Sequence, residues 1–251
     1  MNRVSYRLSG ARSAKVLALC LTAALPAFLA TAAHAQSTLS FTVLGSANPF
    51  LAGMPDGSTA SGDTAPGQSP TQVTGFNLTG GGMLTFSVTG SVDFGGGAPG
   101  DPADGSFDVV KGAENGISGY NAPANALIGV FLNDDQPDGS AAPGDLDFSA
   151  GGLGQSFSSL SPGLKQTFFI GDGLTGNGTG STQTFNIPTG ATRFYLGTVD
   201  GSGWFNNSGS FQVNVTGPGA TAPEPGTLSL LGLTALPLAA GVLRRRRSSH
   251  Q

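Results

Sequence analysis

The pattern of apolar and polar residues divides the chain into two apolar ends and a long middle with strand-like runs. At residues 210–216 (SFQVNVT) apolar residues alternate with polar ones, which is the period of two of a half-buried strand. Continuous apolar runs at residues 124–132 and 166–171 instead fit strands buried on both faces. Further strand-like runs occupy residues 38–44, 72–78, 83–92, 107–110, 183–187 and 193–198. Roughly eight short strands joined by Gly-rich turns predict an all-β fold of the β-sandwich type.

One long loop interrupts the strand-like runs. Residues 54–70 (MPDGSTASGDTAPGQSP) have no periodic apolar positions, which predicts a flexible surface excursion without regular elements. We therefore divide the middle of the chain into three parts. These are a Gly/Ser/Asp-rich N-terminal segment with one strand and the flexible loop at residues 36–71, a β-sandwich at residues 72–217, and a linker at residues 218–222.

The N-terminal end has the three parts of a secretory signal peptide. Basic residues come first, an apolar run follows at residues 16–33, and the small-residue triplet AHA at residues 33–35 ends the run. This order predicts export with cleavage after the triplet, so that residues 1–35 are a signal peptide. A lipoprotein signal is disfavoured, because Leu19 rather than a small residue precedes Cys20, the single cysteine.

The C-terminal end has a short motif, an apolar run and a basic cluster in that order. They are Pro223-Glu224-Pro225, residues 228–243, and Arg244, Arg245, Arg246 and Arg247. A helix of the run's length rises about 24 Å, which is short for a hydrocarbon core of about 30 Å and predicts a marginal transmembrane helix. By the positive-inside rule the arginines stay in the cytoplasm, so the motif is held at the outer face of the inner membrane.

The tail from Pro223 to Arg247 resembles the PEP-CTERM sorting signal in its motif, spacing and basic end. The resemblance implies recognition by an exosortase, a membrane transpeptidase that processes at the motif in bacteria that make exopolysaccharide and biofilm. It also implies transient anchoring in the inner membrane, followed by a place at the cell surface or in the extracellular matrix among exopolysaccharide glycans. A plain C-terminal membrane anchor is the alternative.

Composition excludes several function classes for residues 36–222. The segment contains neither cysteine nor histidine, which excludes disulfides, thiolate metal sites, His-based triads and a histidine general base. Because no nucleophile elbow or phosphate loop is present either, we predict that the protein is not an enzyme. A glycosidase pair of aspartates is the alternative, and nothing marks any particular pair.

The same segment is strongly acidic. It has three basic residues against fourteen acidic ones, a net charge of −11 at pH 7, although the whole chain carries only −4. This charge disfavours nucleic acid as a partner, since such binding depends on Lys and Arg. It favours Ca²⁺, which takes carboxylate, carbonyl and amide oxygens. The alternative is that the aspartates only keep an extracellular protein soluble.

The run NNSGSFQVNV at residues 206–215, preceded by Asp200, resembles the closing motif of small calcium-dependent galactophilic bacterial lectins. More weakly, residues 72–95 and the runs NALIGVFL and FFIGDG resemble the family's earlier strands. The family has a jelly-roll-like β-sandwich whose bound Ca²⁺ is shared with sugar hydroxyls. The resemblance implies the following Ca²⁺ ligands: the carbonyl of Phe94, the carboxylate of Asp200, a group of Ser202 or Gly203, and the amide oxygens of Asn206 and Asn207.

This chain departs from the lectin pattern in the binding loop. Gly203 stands where the family has a threonine ligand, so that only its carbonyl oxygen remains to bind the ion. The family's sugar-contacting histidine has no counterpart, because residues 36–222 contain no histidine. Galactose specificity is therefore not implied. Trp204 and Phe205 lie on the loop, where their rings either stack on a sugar or pack into the sandwich. Asn206 and Asn207 have the alternative of a simple turn between strands.

A second acidic stretch, NDDQPDGSAAPGD, offers a weaker alternative calcium loop at Asp134, Gln136, Asp138, Gly139 and Asp145. The sequence as a whole leads us to expect a secreted matrix or surface protein with a lectin-like, calcium-dependent glycan-binding sandwich. A purely structural matrix protein without a specific ligand is the other hypothesis.

Overall fold

The computed structural model describes residues 36–95 and 97–219. The predicted signal peptide at residues 1–35 and the predicted sorting tail at residues 223–247 lie outside this part of the chain. Within the described residues, no helix is long and apolar enough to cross a membrane.

The described part of the chain is built from strands and three short 3₁₀ helices, which confirms the all-β prediction. The strands are β1 (Gln36–Leu44), β2 (Thr59–Ala60), β3 (Asp63–Thr64), β4 (Thr71–Val73), β5 (Met83–Asp93), β6 (Asp108–Lys111), β7 (Tyr120–Pro123), β8 (Leu127–Leu132), β9 (Leu146–Asp147), β10 (Ser159–Leu160), β11 (Thr167–Phe169), β12 (Leu174–Gly176), β13 (Thr179–Thr182), β14 (Thr184–Asn186), β15 (Arg193–Thr198) and β16 (Ser208–Pro218). The 3₁₀ helices are Pro49–Leu51, Pro137–Gly139 and Trp204–Asn206.

Two larger sheets and three small ones form the fold. The five-stranded sheet has the order β1-β16-β5-β14-β10, and the four-stranded sheet has the order β11-β8-β15-β4. The small sheets are β12-β13, β2-β3 and β6-β7-β9. Pairing in the two larger sheets is antiparallel except between β10 and β14, which are parallel.

Phenylalanine rings fill the space between the two larger sheets. Phe131, Phe168 and Phe194 of the four-stranded sheet stack with centroids 4.6 to 6.0 Å apart. From the five-stranded sheet, Phe86 lies 6.0 Å from Phe194 and Phe185 lies 5.6 Å from Phe168. All five side chains are buried, so the inner faces of the two sheets share one core. This arrangement is consistent with a β-sandwich.

Strand β8 lies at the centre of this core. Every residue from Leu127 to Leu132 is buried, as the continuous apolar run predicts. Gly129 leaves room for two rings, because a Cβ at this position would lie 2.7 Å from the ring of Phe168 and 2.8 Å from that of Phe194. A larger residue at this position would therefore force the aromatic stack apart.

Strand β16 shows the predicted alternation and connects two long neighbours. Phe211, Val213 and Val215 are fully buried, while the residues between them face outward. The strand pairs with β1 along one side over nine residues and with β5 along the other side over nine residues. The outward-facing positions of these strands carry Ser, Thr, Asn and Gln side chains that hydrogen-bond across the sheet, as Ser40 Oγ does to Asn214 Oδ1 at 2.6 Å.

The structure differs from the predicted division at residue 71. Strand β1 belongs to the five-stranded sheet, and Phe50 and Leu51 are buried in the shared core. Residues 54–70 contain the paired strands β2 and β3, with Ala60 and Ala65 buried. The segment at residues 36–71 is therefore part of the same fold. Its order comes from tertiary contacts, which a Gly- and Ser-rich sequence without periodicity does not reveal.

Candidate functional site

The predicted binding loop joins β15 to β16 at one end of the two larger sheets. It starts at Asp200, just after β15, passes through the 3₁₀ helix Trp204–Asn206, and ends at Asn207, just before β16. The tight turn inside the loop depends on Gly203, whose φ of 75° is in the left-handed region. The loop thus brings a carboxylate and two amide side chains to the same end of the fold.

Asp200 is a buried carboxylate with only one of its two oxygens satisfied. The residue is 6% exposed, and its Oδ1 accepts hydrogen bonds from the backbone N–H groups of Gly201 at 2.5 Å and Ser202 at 3.4 Å. Its Oδ2 is buried and has no hydrogen-bond partner. The Tyr120 hydroxyl fixes the backbone by donating to the Asp200 carbonyl at 2.7 Å. The carboxylate is therefore fixed in place, with one oxygen hydrogen-bonded and the other without a hydrogen-bond partner.

Burial raises the pKa of the Asp200 carboxyl above its ordinary value, and repulsion from Asp63 raises it further. The Asn207 amide and the N–H groups of Ser202 and Gly201 act in the opposite direction without cancelling the rise. The charged form of Asp200 is therefore stabilised too little by the protein alone. A cation near Oδ2 would supply the missing stabilisation.

Asn207 supplies a second oxygen of the same kind. Its Nδ2 donates to the carbonyl of Gly45 at 3.1 Å, which fixes the amide, while its Oδ1 is buried without a hydrogen-bond partner. Because the Asn207 amide also lowers the pKa of the Asp200 carboxyl, the two side chains are neighbours. The loop therefore places two buried oxygens without hydrogen-bond partners on adjacent side chains.

The other predicted ligands lie on the same loop or next to it. Asp93 pairs with Ser208 in the ladder of β5 and β16, so the backbone of Phe94 follows at the level of Asn207. The Phe94 ring packs edge-on against Phe107, with the centroids 5.4 Å apart. That its carbonyl is a ligand stays a prediction.

Gly203 and Asn206 occupy the turn between the two side chains that carry the unpartnered oxygens. The carbonyl of Gly203 accepts from the N–H of Asn206 at 3.1 Å, and the N–H of Gly203 donates to the carbonyl of Ser61 at 3.1 Å. Asn206 is exposed. The side chain of Asn206 is thus available on the outer side of the loop, whereas Gly203 is buried.

The two aromatic residues of the loop have different positions. Trp204 is fully buried, with its Nε1 donating to the carbonyl of Thr198 at 2.9 Å and its ring edge-on to Phe50 at 6.1 Å. Packing, the alternative considered above, therefore describes Trp204, whose ring has no face free for a sugar. Phe205 is 63% exposed and remains a candidate for ring stacking.

Asp63 is a residue of the loop's environment that sequence reasoning missed. This buried side chain comes from β3, and its Oδ2 accepts from the N–H of Trp204 at 3.0 Å and from Asn48 Nδ2 at 2.9 Å. Its Oδ1 accepts from the N–H of Phe205 at 2.9 Å. Asp63 thus fixes the start of the 3₁₀ helix. No local motif marks it, because it is one of thirteen similar aspartates between residues 36 and 222.

The second acidic stretch does not form one site. Asp134 accepts from Thr192 at 2.6 Å, the carboxylate of Asp135 accepts from Asn133 at 2.7 Å, and that of Asp138 accepts from Gln136 at 2.8 Å. Across residues 36–95 and 97–219, no group of three or more His, Cys, Asp and Glu side chains is placed to hold a metal ion. A metal site among the described residues would therefore need amide and carbonyl oxygens beside its carboxylates.

No protein-family model, curated protein or solved structure matches this chain.

Proposed function

We propose that the chain is an exported matrix or surface protein whose jelly-roll-like β-sandwich binds glycans through Ca²⁺. The observation that carries this proposal is the pair of buried oxygens without hydrogen-bond partners, Asp200 Oδ2 and Asn207 Oδ1, on one loop. Buried polar atoms in folded proteins normally have partners. Carboxylate and amide oxygens are ligands that suit Ca²⁺, so a Ca²⁺ ion is the partner that these two atoms fit best.

The remaining ligands would come from the same end of the fold. The residues that the lectin resemblance assigns are the carbonyls of Phe94 and Gly203, with Ser202 as the alternative to Gly203, and the amide oxygen of Asn206. The exposed positions of Ser202 and Asn206 support an ion that is open to solvent on one side. An open side is what glycan hydroxyls need in order to complete the coordination shell, which has six to eight oxygens in Ca²⁺ sites.

The exposed ring of Phe205 supports a glycan as the ligand. A pyranose ring has an apolar face that packs on an aromatic side chain, while its hydroxyls coordinate the ion. Phe205 lies between the Asp200 and Asn207 ends of the loop and is 63% exposed. Substitution of Phe205 can therefore distinguish glycan retention from ion binding.

The two ends of the chain provide the cellular part of the proposal. The signal peptide at residues 1–35 exports the protein, and the tail from Pro223 to Arg247 anchors it in the inner membrane until an exosortase processes it. We expect replacement of Arg244–Arg247 by alanine to reduce the amount of protein at the cell surface, as measured by fractionation with an antibody. Unchanged surface delivery would contradict the sorting role.

Thermal unfolding of the exported protein with Ca²⁺ or with a chelator tests the ion site. Ca²⁺ at a hundred times its Kd adds about 2.7 kcal/mol to the free energy of unfolding. For a domain of this size that is a rise in Tm of about 5–10 °C. Asn207→Ala should abolish the rise, and Asp200→Asn should reduce it strongly.

Two variants make the test specific. Asn214→Ala removes an exposed amide on β16 away from the loop and should keep the full Ca²⁺ effect. Phe205→Ala should keep the Ca²⁺ effect and lose retention on the exopolysaccharide of the producing cells. Coincident melting curves of the unsubstituted protein with Ca²⁺ and with chelator would contradict the site.

A structural matrix protein without a specific ligand is the second candidate. The observation in its favour is that Asp63 and Tyr120 hold the loop by hydrogen bonds that need no ion. On this hypothesis the protein is not retained on any glycan column, with or without Ca²⁺. Retention that depends on Ca²⁺ would exclude it.

A further inference from the structure

Strand β1 forms a long open edge of the five-stranded sheet. It has nine residues, Gln36–Leu44, and among the strands of the described residues β16 is its only neighbour in the sheet. The opposite edge strand, β10, has two residues, and the edge strands of the four-stranded sheet, β11 and β4, have three each. Folded proteins usually keep edge strands short or protected, because an open edge pairs with further strands. The length of β1 is therefore an exception within this fold.

The hydrogen-bond pattern shows which backbone groups of β1 face outward. The N–H of Gly45 donates to the carbonyl of Gly209, so the odd-numbered residues of β1 exchange hydrogen bonds with β16. The even-numbered residues then direct their N–H and C=O groups away from the sheet. The carbonyl of Leu44 accepts from Ala47, and that of Thr42 accepts from the Thr71 hydroxyl at 3.0 Å with one lone pair left. The groups of Thr38 and Ser40 lie along the open edge.

Within the described residues, β1 is protected only at its C-terminal end, where Ala47 and Thr71 contact the outward carbonyls of Leu44 and Thr42. Its sequence, QSTLSFTVL, contains no charged residue and no proline. Its pairing with β16 runs over nine consecutive positions without a register shift, so no bulge bends the edge away. In a segment with a net charge of −11, an uncharged strand of this length is favourable for contact with a second acidic protein of the same kind.

The central part of β1, residues 38–42, is complementary to itself about Ser40. In an antiparallel pair centred on this residue, Thr38 faces Thr42 of the second strand and Leu39 faces Phe41. Side chains opposite each other in an antiparallel pair lie on the same face, so polar residues meet on the outer face and apolar residues meet on the inner face. Leu39 and Phe41 are only partly buried at the edge and would be covered.

We propose that β1 pairs antiparallel with β1 of a second copy of this chain, centred on Ser40, so that the two five-stranded sheets join into one. The even-numbered residues then exchange backbone hydrogen bonds across a two-fold axis, as an isologous dimer requires. Ser40 faces Ser40 of the other copy as a hydrogen-bonded pair with a Cα separation of about 5.5 Å. This separation is within the range that a disulfide bridges.

Single-cysteine crosslinking of the exported protein, recovered from the cells that make it, tests the register. All variants carry Cys20→Ser, so that the introduced thiol is the only one in the precursor as well. Under mild oxidation Ser40→Cys should convert most of the protein to a disulfide-linked dimer. Thr42→Cys is the matched control on the same strand and face, because the two Thr42 positions lie about 13 Å apart in this pairing.

A second variant and three contrary results complete the test. The double variant Thr38→Cys with Thr42→Cys should form the dimer again, which keeps the test valid if Ser40→Cys does not fold. Equal dimer from Ser40→Cys and Thr42→Cys would indicate random collision and overturn the proposal. So would the absence of dimer from both Ser40→Cys and the double variant, or a crosslink of Ser40→Cys to a different protein.

Discussion

Replacement of Asp63 by alanine should cost a large part of the stability of the fold. The buried carboxylate accepts three hydrogen bonds, from the N–H groups of Trp204 and Phe205 and from the side chain of Asn48. Hydrogen bonds to a charged group contribute about 1.5–3 kcal/mol each. The carboxylate's own desolvation offsets part of the sum, while the three donors become unsatisfied in Asp63→Ala. We therefore expect a loss of about 3–5 kcal/mol, by analogy with the removal of one partner from a buried charged pair.

The conservative variant Asp63→Asn separates the contribution of the hydrogen bonds from that of the negative charge. In Asp63→Asn the amide oxygen can still accept from Trp204 and Asn48, while its NH₂ group meets the N–H of Phe205. One bond is lost instead of three, so the loss should be about 1–3 kcal/mol. Asp93→Ala is the control, because Asp93 also accepts two backbone N–H groups but at an exposed turn. It should cost about 1 kcal/mol or less.

Urea denaturation at pH 7 in the presence of chelator measures these differences in the free energy of unfolding. A domain of this kind has about 5–15 kcal/mol in total, so the midpoint of Asp63→Ala should move well below those of the other variants. A value for Asp63→Ala within 1 kcal/mol of the unsubstituted protein would refute the role of Asp63 as the anchor of the loop.

The remaining predictions concern buried carboxylates and the two aromatic residues of the loop. Burial raises the pKa of Asp200 and that of Asp104, so the contribution of these two groups to the stability of the chelated protein should be complete below their ordinary value of 3.8 and be lost as the pH rises through the raised values. Denaturation curves across this range should show less of the loss in Asp200→Asn, and added Ca²⁺ should stabilise more at pH 7 than at pH 4. Trp204→Ala should cost about 3–5 kcal/mol because its ring is fully buried. Phe205→Ala should change the free energy of unfolding by about 0.5 kcal/mol or less, as measured by the same denaturation.

The sequence was most informative where a long strand has a regular pattern. The predicted run at residues 193–198 is β15 to the residue, and the run at residues 83–92 is β5 to within one residue. The short strands β2 and β3 were not predicted, since two residues contain no period. Their position is fixed by partners distant in the sequence, such as the contact of Asp63 with the backbone of Trp204.

The candidate site is likewise predictable from the sequence only in part. Asp200 and Asn207 belong to a motif within eight residues, so the sequence could place them together, and the structure leaves one oxygen of each unpartnered. The burial of Trp204 depends on Phe50 and on the Thr198 carbonyl, and no feature of the Gly-rich loop predicts either contact. Asp63 lies in a segment for which the composition predicts flexibility. The supporting contacts of the loop are thus a property of the tertiary fold.

The geometry of β16 relates the candidate site to the two ends of the chain. The strand begins at Ser208, next to the loop, and ends at Pro218, which pairs with Gln36. With a rise of about 3.4 Å per residue, the site lies about 34 Å from the place where both termini leave the sheet. A protein held in the membrane by its C-terminal tail would therefore direct the site away from the membrane.

Self-pairing of β1 reverses this direction for the second copy, because the two strands are antiparallel. The Pro218 ends of the two β16 strands then lie at opposite ends of the joined sheet. If both proposals hold, the dimer carries its two glycan sites at opposite ends, which is the arrangement that links two polysaccharide chains in a matrix.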